Sequence, residues 1–100
     1  MISIIIPTYN EEKYIVQCIE SIVAQDYPKD NLEVLIVDGM SNDRTREIVT
    51  QYSSKYSFIH LLDNPDKIVP YAMNIGIKAA KGDIIMRLDA HSFYQKDYFS

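Results

Sequence analysis

A chain of 100 residues with 47% apolar and 24% charged side chains has an ordinary globular composition and enough apolar surface for one core. Ten Lys and Arg against 14 Asp and Glu give a net charge of −4 with no basic run, which argues against nucleic acid as a partner. No apolar stretch approaches the length of a membrane span and no leader-like segment precedes the first apolar run, so the expectation is a soluble, cytoplasmic protein, with membrane association left to regions outside these residues.

The first apolar run, Ile4-Ile5-Ile6, reads as a buried strand and passes directly into Pro7-Thr8-Tyr9-Asn10. Ile15, Cys18, Ile19, Ile22 and Val23 then follow helical spacing, with Asn10 placed to cap the start. Cys18 is the single cysteine, which excludes an internal disulfide, agrees with a reducing compartment and, on that apolar face, reads as a buried thiol. A second strand, Val34-Leu35-Ile36-Val37, runs into Asp38-Gly39-Met40-Ser41. Asn42 and Asp43 suit the start of a second helix that carries Ile48, Val49, Tyr52 and Tyr56.

Phe58-Ile59-His60-Leu61-Leu62 is the third strand, with His60 read as structural. A third helix begins near Pro70 and ends at Lys81-Gly82, a cation followed by an expected left-handed cap; Tyr71, like Tyr52 and Tyr56, reads as a packing aromatic, and Asn74 and Gly76 as packing residues. The fourth strand, Ile84-Ile85-Met86-Arg87-Leu88, leads into Asp89-Ala90-His91. The last residues carry Phe93, Tyr94, Tyr98 and Phe99 without a helix cap or charged tail, which suggests a larger domain cut at this point.

The order βαβαβαβ, with right-handed crossovers, predicts an open, doubly wound, mostly parallel α/β sheet with helices on both faces. Winding outward through strands two and three and returning past the first gives the order 3-2-1-4. Its switch point lies between strands one and four, which puts Tyr9 and Asp89 at the mouth of one crevice with Asp38 beside them. Three glycines, Gly39, Gly76 and Gly82, cannot write either the dinucleotide fingerprint or the P-loop. What remains is acidic. A carboxylate such as Asp38 can accept from a nucleobase N–H, and an aspartate and a histidine two apart, Asp89 and His91, can share a divalent cation that neutralises a diphosphate.

Four segments taken together, Ser3 to Glu12, Val37 to Thr45, Asn74 to Asp83 and Leu88 to His91, resemble the start of an inverting glycosyltransferase of family 2 with the GT-A fold. The resemblance covers nearly the whole chain and implies that residues 1–100 are the nucleotide-sugar-binding part of such a domain, truncated at its C-terminal end. It implies a nucleotide-sugar donor, usually a UDP-sugar, and a polysaccharide or lipid-linked acceptor. Pro7, Thr8, Tyr9 and Glu11 then fall at the base and ribose pocket, Asp38 where a carboxylate meets the base, and Lys67 in a loop that offers a basic residue to the nucleotide. Asp89, Ala90 and His91 fall on the family's D-x-D motif, which holds ribose and diphosphate through Mg2+ or Mn2+, with Asp89 and His91 as the metal ligands.

Two departures stand out. Gly39 and Met40 replace an acidic residue and a glycine that commonly follow the position of Asp38, and Asp-Ala-His is the variant that resembles transferases building bacterial exopolysaccharides such as succinoglycan. Histidine accepts Mn2+ more readily than Mg2+, which prefers oxygen. The general base for an inverting transfer is expected beyond Ser100, so no catalytic residue is named and the fragment alone is expected to be inactive and, through its uncovered edge, to self-associate. Two other readings stay open: a non-catalytic sugar-nucleotide-binding module, and a metal-dependent phosphohydrolase, which would need more ligands than the two histidines supply.

Overall fold

The computed structural model describes residues 1–90. Its elements are β1 (Ile2–Thr8), α1 (Ile15–Val23), a 3-10 turn (Lys29–Asn31), β2 (Leu32–Asp38), α2 (Thr45–Lys55), β3 (Ile59–Asp63), α3 (Val69–Ala79) and β4 (Ile84–Arg87). The strands form one parallel sheet in the order β3-β2-β1-β4, as the crossover rule predicts. His91 and the aromatic cluster from Phe93 to Phe99 lie outside the described residues.

The central strands are buried along nearly their whole length and mostly apolar because helices cover both of their faces. Ile2, Ile4 and Ile6 of β1 and Val34 and Ile36 of β2 turn towards α1 and α2, while Ile5, Leu35 and Val37 turn towards Ala72 of α3. In α1 the buried set is Ile15, Cys18, Ile19 and Ile22, one stripe at i, i+3, i+4 and i+7. Full burial of each isoleucine is worth about 1.5–3 kcal/mol, so this stripe anchors the helix without a side-chain cap. Tyr52 stacks on Tyr56 with ring centroids 6.3 Å apart and donates to Glu20 Oε2 at 2.6 Å, tying α2 to α1.

Several local expectations are corrected. Asn10 does not cap α1, which begins after Tyr14; Asn10 has a left-handed backbone (φ 52°) and bonds instead to the loop after β2. Gly82 is not a left-handed cap, since none of the glycines has positive φ. A Cβ there would stand 2.6 Å from Met1 O and Ser3 Oγ, so glycine is required by close approach. The Gly82 N–H donates to Ser3 Oγ (2.8 Å), which donates to Glu33 Oε1 (2.7 Å), and that network pins the start of β4 to β1 and β2. Tyr71, on α3, is exposed rather than packed; His60, Ile84 (54%) and Ile85 (41%) are also exposed, because β3 and β4 are the outer strands among the described residues and composition alone does not distinguish an outer strand from a central one.

Gly76 is the packing position expected of it. A Cβ on it would lie 2.7–2.9 Å from three side-chain atoms of the fully buried Ile5, so its absence lets α3 approach β1. Gly76→Val should lower unfolding stability by about 2–3 kcal/mol through overpacking and forced helix displacement. A urea midpoint equal to that of the parent would show that α3 can shift at no cost.

Candidate functional site

All four strands point their carboxyl ends the same way, and the loops leaving them are stitched together by side chains. Asn10 N–H donates to Ser41 Oγ (2.8 Å), Asn42 N–H to Asn10 Oδ1 (2.8 Å), Glu11 N–H to Thr45 Oγ1 (2.8 Å) and Glu12 N–H to Asp43 Oδ2 (3.2 Å). Asp43 also accepts from Thr45 N–H (2.9 Å), so it serves the first turn of α2 as expected. Three non-glycine residues hold left-handed backbone here, Asn10, Met40 (φ 61°) and Lys67 (φ 67°), one in each loop after β1, β2 and β3. Such positions cost of order 1–3 kcal/mol each and persist where surrounding bonds over-determine them. Met40 stands where the resemblance leads one to expect a glycine, and it carries the conformation that a glycine would take freely.

A cavity of about 270 Å³ opens among these loops. Pro7, Thr8, Tyr9 and Glu11 line it from the end of β1, Asn64, Lys67 and Ile68 from the β3–α3 loop, Val69 and Ala72 from α3, and Arg87, Asp89 and Ala90 from β4 and the loop after it. The structure therefore brings together Pro7, Thr8, Tyr9, Glu11, Lys67, Asp89 and Ala90. Lys67 holds its ammonium 5.7 Å from the centroid of the Tyr9 ring, a cation over an aromatic face. Gly39 eases this approach, because a Cβ on it would lie a tight 3.3 Å from Lys67 Cα.

Asp38 stands apart from this set. Its carboxylate is wholly buried and does not line the cavity. Oδ1 accepts from Thr8 Oγ1 (2.7 Å) and Ser41 Oγ (2.5 Å), and Oδ2 from Ser41 N–H (2.8 Å) and Arg46 Nη1 (3.1 Å). A carboxylate has about four acceptor positions, so the protein itself occupies them all. Arg46 bridges onward to Asp63 at the end of β3, and Asn64 N–H donates to the Asp38 carbonyl oxygen at 2.7 Å. Asp38 thus clamps the ends of β1, β2 and β3 together.

Cys18 supports the site from behind. Its thiol donates to the Asp89 carbonyl oxygen at 3.5 Å, and burial, reinforced by the negative charges of Asp89 and Glu11, pushes its pKa up to about 12. A thiol so held is no nucleophile at neutral pH.

Sequence reasoning missed two polar wall residues, Asn64 and Arg87. Asn64 is 1% exposed; its Nδ2 donates to Ile68 O at 3.0 Å, while its Oδ1 has no partner among the described residues. An unpaired buried acceptor costs about 1–3 kcal/mol. The signal was present: the polar run Asp63-Asn64-Pro65-Asp66 starts at the last residue of β3, much as other polar runs leave their strands. Arg87, paired in register with Ile5, sits in an apolar run two residues before Asp89, where the strand period turns both the same way.

The family model for glycosyl transferase family 2 matches residues 3–100. The chain belongs to that family. It is 46% identical over 99 residues to a dolichyl N-acetyl-alpha-D-glucosaminyl phosphate 3-beta-D-2,3-diacetamido-2,3-dideoxy-beta-D-glucuronosyltransferase of Methanococcus voltae, covering 97% of this chain and 31% of the relative. It is 34% identical over 96 residues to the poly(ribitol-phosphate) beta-N-acetylglucosaminyltransferase TarS of Staphylococcus aureus, covering 95% of this chain and 17% of TarS.

Among solved structures of the family, TarS 1-349 in complex with UDP-GlcNAc matches with a TM-score of 0.85 at 33% identity, over 95% of this chain and 28% of that one. The mannosyltransferase PcManGT of Pyrobaculum calidifontis, in complex with GDP-Man and Mn2+, matches with a TM-score of 0.86 at 31% identity, over 93% and 28%. This family 2 chain therefore spans less than a third of the length of each of these proteins. Its parallel 3-2-1-4 sheet is the GT-A arrangement that they share.

Proposed function

We propose that these residues bind the donor of a metal-assisted, inverting transfer from a UDP-sugar to a polysaccharide or lipid-linked acceptor. The observation that carries the reading is the composition of the cavity wall: an aromatic ring, two cations and two carboxylates, Tyr9, Lys67, Arg87, Glu11 and Asp89, converge at the strand ends in a family 2 chain. Tyr9 offers a ring face for a base, and the charges of Lys67 and Arg87 suit a diphosphate. The UDP-GlcNAc complex of TarS supports a uracil nucleotide, and the Mn2+ complex of PcManGT supports a divalent cation.

The donor chemistry fits such a cation. Asp89 presents a hard oxygen ligand at the cavity, and among the described residues no group of three or more His, Cys, Asp or Glu gathers to cage a metal. Asp89 would hold the ion, with His91 as the further ligand expected from sequence and diphosphate oxygens and water completing the shell. Bound there, the ion would supply positive charge to the departing diphosphate. The remaining residues position: Thr8 and Ser41 are fixed by Asp38, and Cys18 holds the Asp89 backbone. We place the general base that takes the acceptor proton in a part of the enzyme outside these residues.

Calorimetric titration of the chain with UDP, AMP and a phosphomonoester, each with Mn2+, tests the reading. UDP should bind at least about tenfold more tightly than AMP, a difference of roughly 1.4 kcal/mol. Equal binding of UDP and AMP would sink it, and hydrolysis of the monoester would favour a phosphohydrolase.

A further inference from the structure

We propose that the outer edge of β3 docks a second copy of this chain, the two β3 strands pairing antiparallel about a two-fold axis at Leu61.

A groove of about 470 Å³ is lined by Ile59, His60, Leu61 and Leu62 together, with Ser57 and Lys81 among the flanking residues. Consecutive strand side chains alternate between the two faces of a sheet, so a hollow that touches all four runs along the strand edge rather than over one face. The backbone agrees. Val34 N–H donates to Phe58 O and Asn64 N–H to Asp38 O, so the even-numbered positions of β3 bond to β2, while Ile59, Leu61 and Asp63 turn their N–H and C=O groups outward. Ile59 N–H is taken by Tyr56 O at 3.1 Å. The edge therefore offers both backbone groups of Leu61, the Ile59 C=O and the Asp63 N–H. Its register with β2 is regular over five residues, without the bulge, proline or lysine that commonly blunts an open edge.

These groups are complementary to themselves. Turned about Leu61, a second β3 sets the Leu61 N–H and C=O against those of its own copy, and each Asp63 N–H against the other strand's Ile59 C=O. Charge favours the same arrangement. At the amino end of β3 stand Lys55, which ends α2, and Lys81, whose N–H is held by the buried carboxylate of Glu33, two cations to one anion. At the carboxyl end Arg46 is shared by Asp38 and Asp63, two anions to one cation. Antiparallel strands bring the positive end of one to the negative end of the other, whereas parallel strands would align like with like. A two-fold pair also closes on itself and joins two four-stranded sheets into one of eight strands. The groove shares no lining residue with the cavity at the strand ends, so pairing leaves both cavities open.

Sedimentation equilibrium of the chain over a range of concentrations tests the pairing. The parent should pass from one chain mass to two. Leu61→Pro removes an outward N–H that β2 does not use, and Leu61→Lys sets like charges directly against each other at the axis; both should stay monomeric, with circular dichroism and thermal melts close to the parent's. A parent that is monomeric at every concentration would overturn the pairing. So would a folded variant that still associates, since another surface would then carry the contact. Hydrogen exchange needs no variant: the Leu61 amide should exchange at least about tenfold more slowly in concentrated than in dilute parent. Unchanged exchange at Leu61 in samples whose mass is that of a dimer would equally exclude β3 as the interface.

Discussion

Asp38→Ala should unfold far more easily than the parent, with a loss of about 3–5 kcal/mol, the usual cost of removing one partner of a buried ion pair. The carboxylate is wholly buried and receives four donors from three segments, so its removal leaves Thr8 Oγ1, Ser41 Oγ and N–H, and one arm of Arg46 without the acceptor they share. Arg46 keeps its ion pair with Asp63, so α2 stays tied to the end of β3 while the side-chain link from β1 through Thr8 is lost. Asp38→Asn should recover part of the loss, because one oxygen still accepts while the new NH2 group faces donors. Urea unfolding followed by circular dichroism measures both. A variant that melts like the parent yet binds UDP weakly would return Asp38 to the base-reading role that the family resemblance implies.

Strand positions were legible because β1 and β2 are covered on both faces, and strands in that situation read as near-continuous apolar runs rather than alternating ones. From there the strand-end rule located most of the cavity wall, since Tyr9 and Asp89 follow the two strands that flank the switch point. What stayed hidden depends on partners remote in sequence. Asn10 has the residue type of a helix cap, yet its bonds go to Ser41 and Asn42, and nothing local announces them. Asp38 reads as an open ligand until Arg46, on the first turns of α2, is seen to reach it. Gly82 sits where helix-stop logic wants a left-handed residue, but the crowding that demands glycine comes from Met1 and Ser3.

Arg87 and Asn64 were passed over for opposite reasons. Arg87 sits inside an apolar run that reads as buried strand, although its side chain is exposed and β4 is an outer strand among the described residues. Asn64 lies at a strand end like the residues that were singled out, but β3 is remote from the switch point in the sheet order. Only the turn from Asn64 to Lys67, folding back over Gly39, carries it to the cavity. Function here is assembled from loops whose paths are set by close backbone approach, a property that residue type encodes weakly.

Asp89→Ala should separate nucleotide recognition from metal assistance. The side chain is exposed at the cavity, and the contact that holds this segment from behind is made by the Asp89 backbone carbonyl, to which Cys18 donates. That bond survives the substitution, so the melting temperature should stay close to the parent's. With the proposed metal ligand gone, Mn2+ should lose most of its effect on UDP affinity, about 10–100-fold, as expected for loss of a charged contact worth about 1.5–3 kcal/mol. UDP affinity without metal should change little or rise, because a negative charge near the diphosphate is removed. Asp89→Asn, which keeps one carbonyl oxygen, should fall between. Calorimetry with and without Mn2+ on parent and variants reads all of this, and an undiminished Mn2+ increment in Asp89→Ala would show that the ion, if it binds, is held elsewhere. The Cys18 thiol provides an internal control: burial is the main cause of its raised pKa and the Asp89 charge the second, so in Asp89→Ala the value should drop yet stay above the ordinary thiol range. A thiol-reactivity profile against pH that shifts modestly downward would show that the loop has kept its place, and that the lost metal response comes from the missing carboxylate.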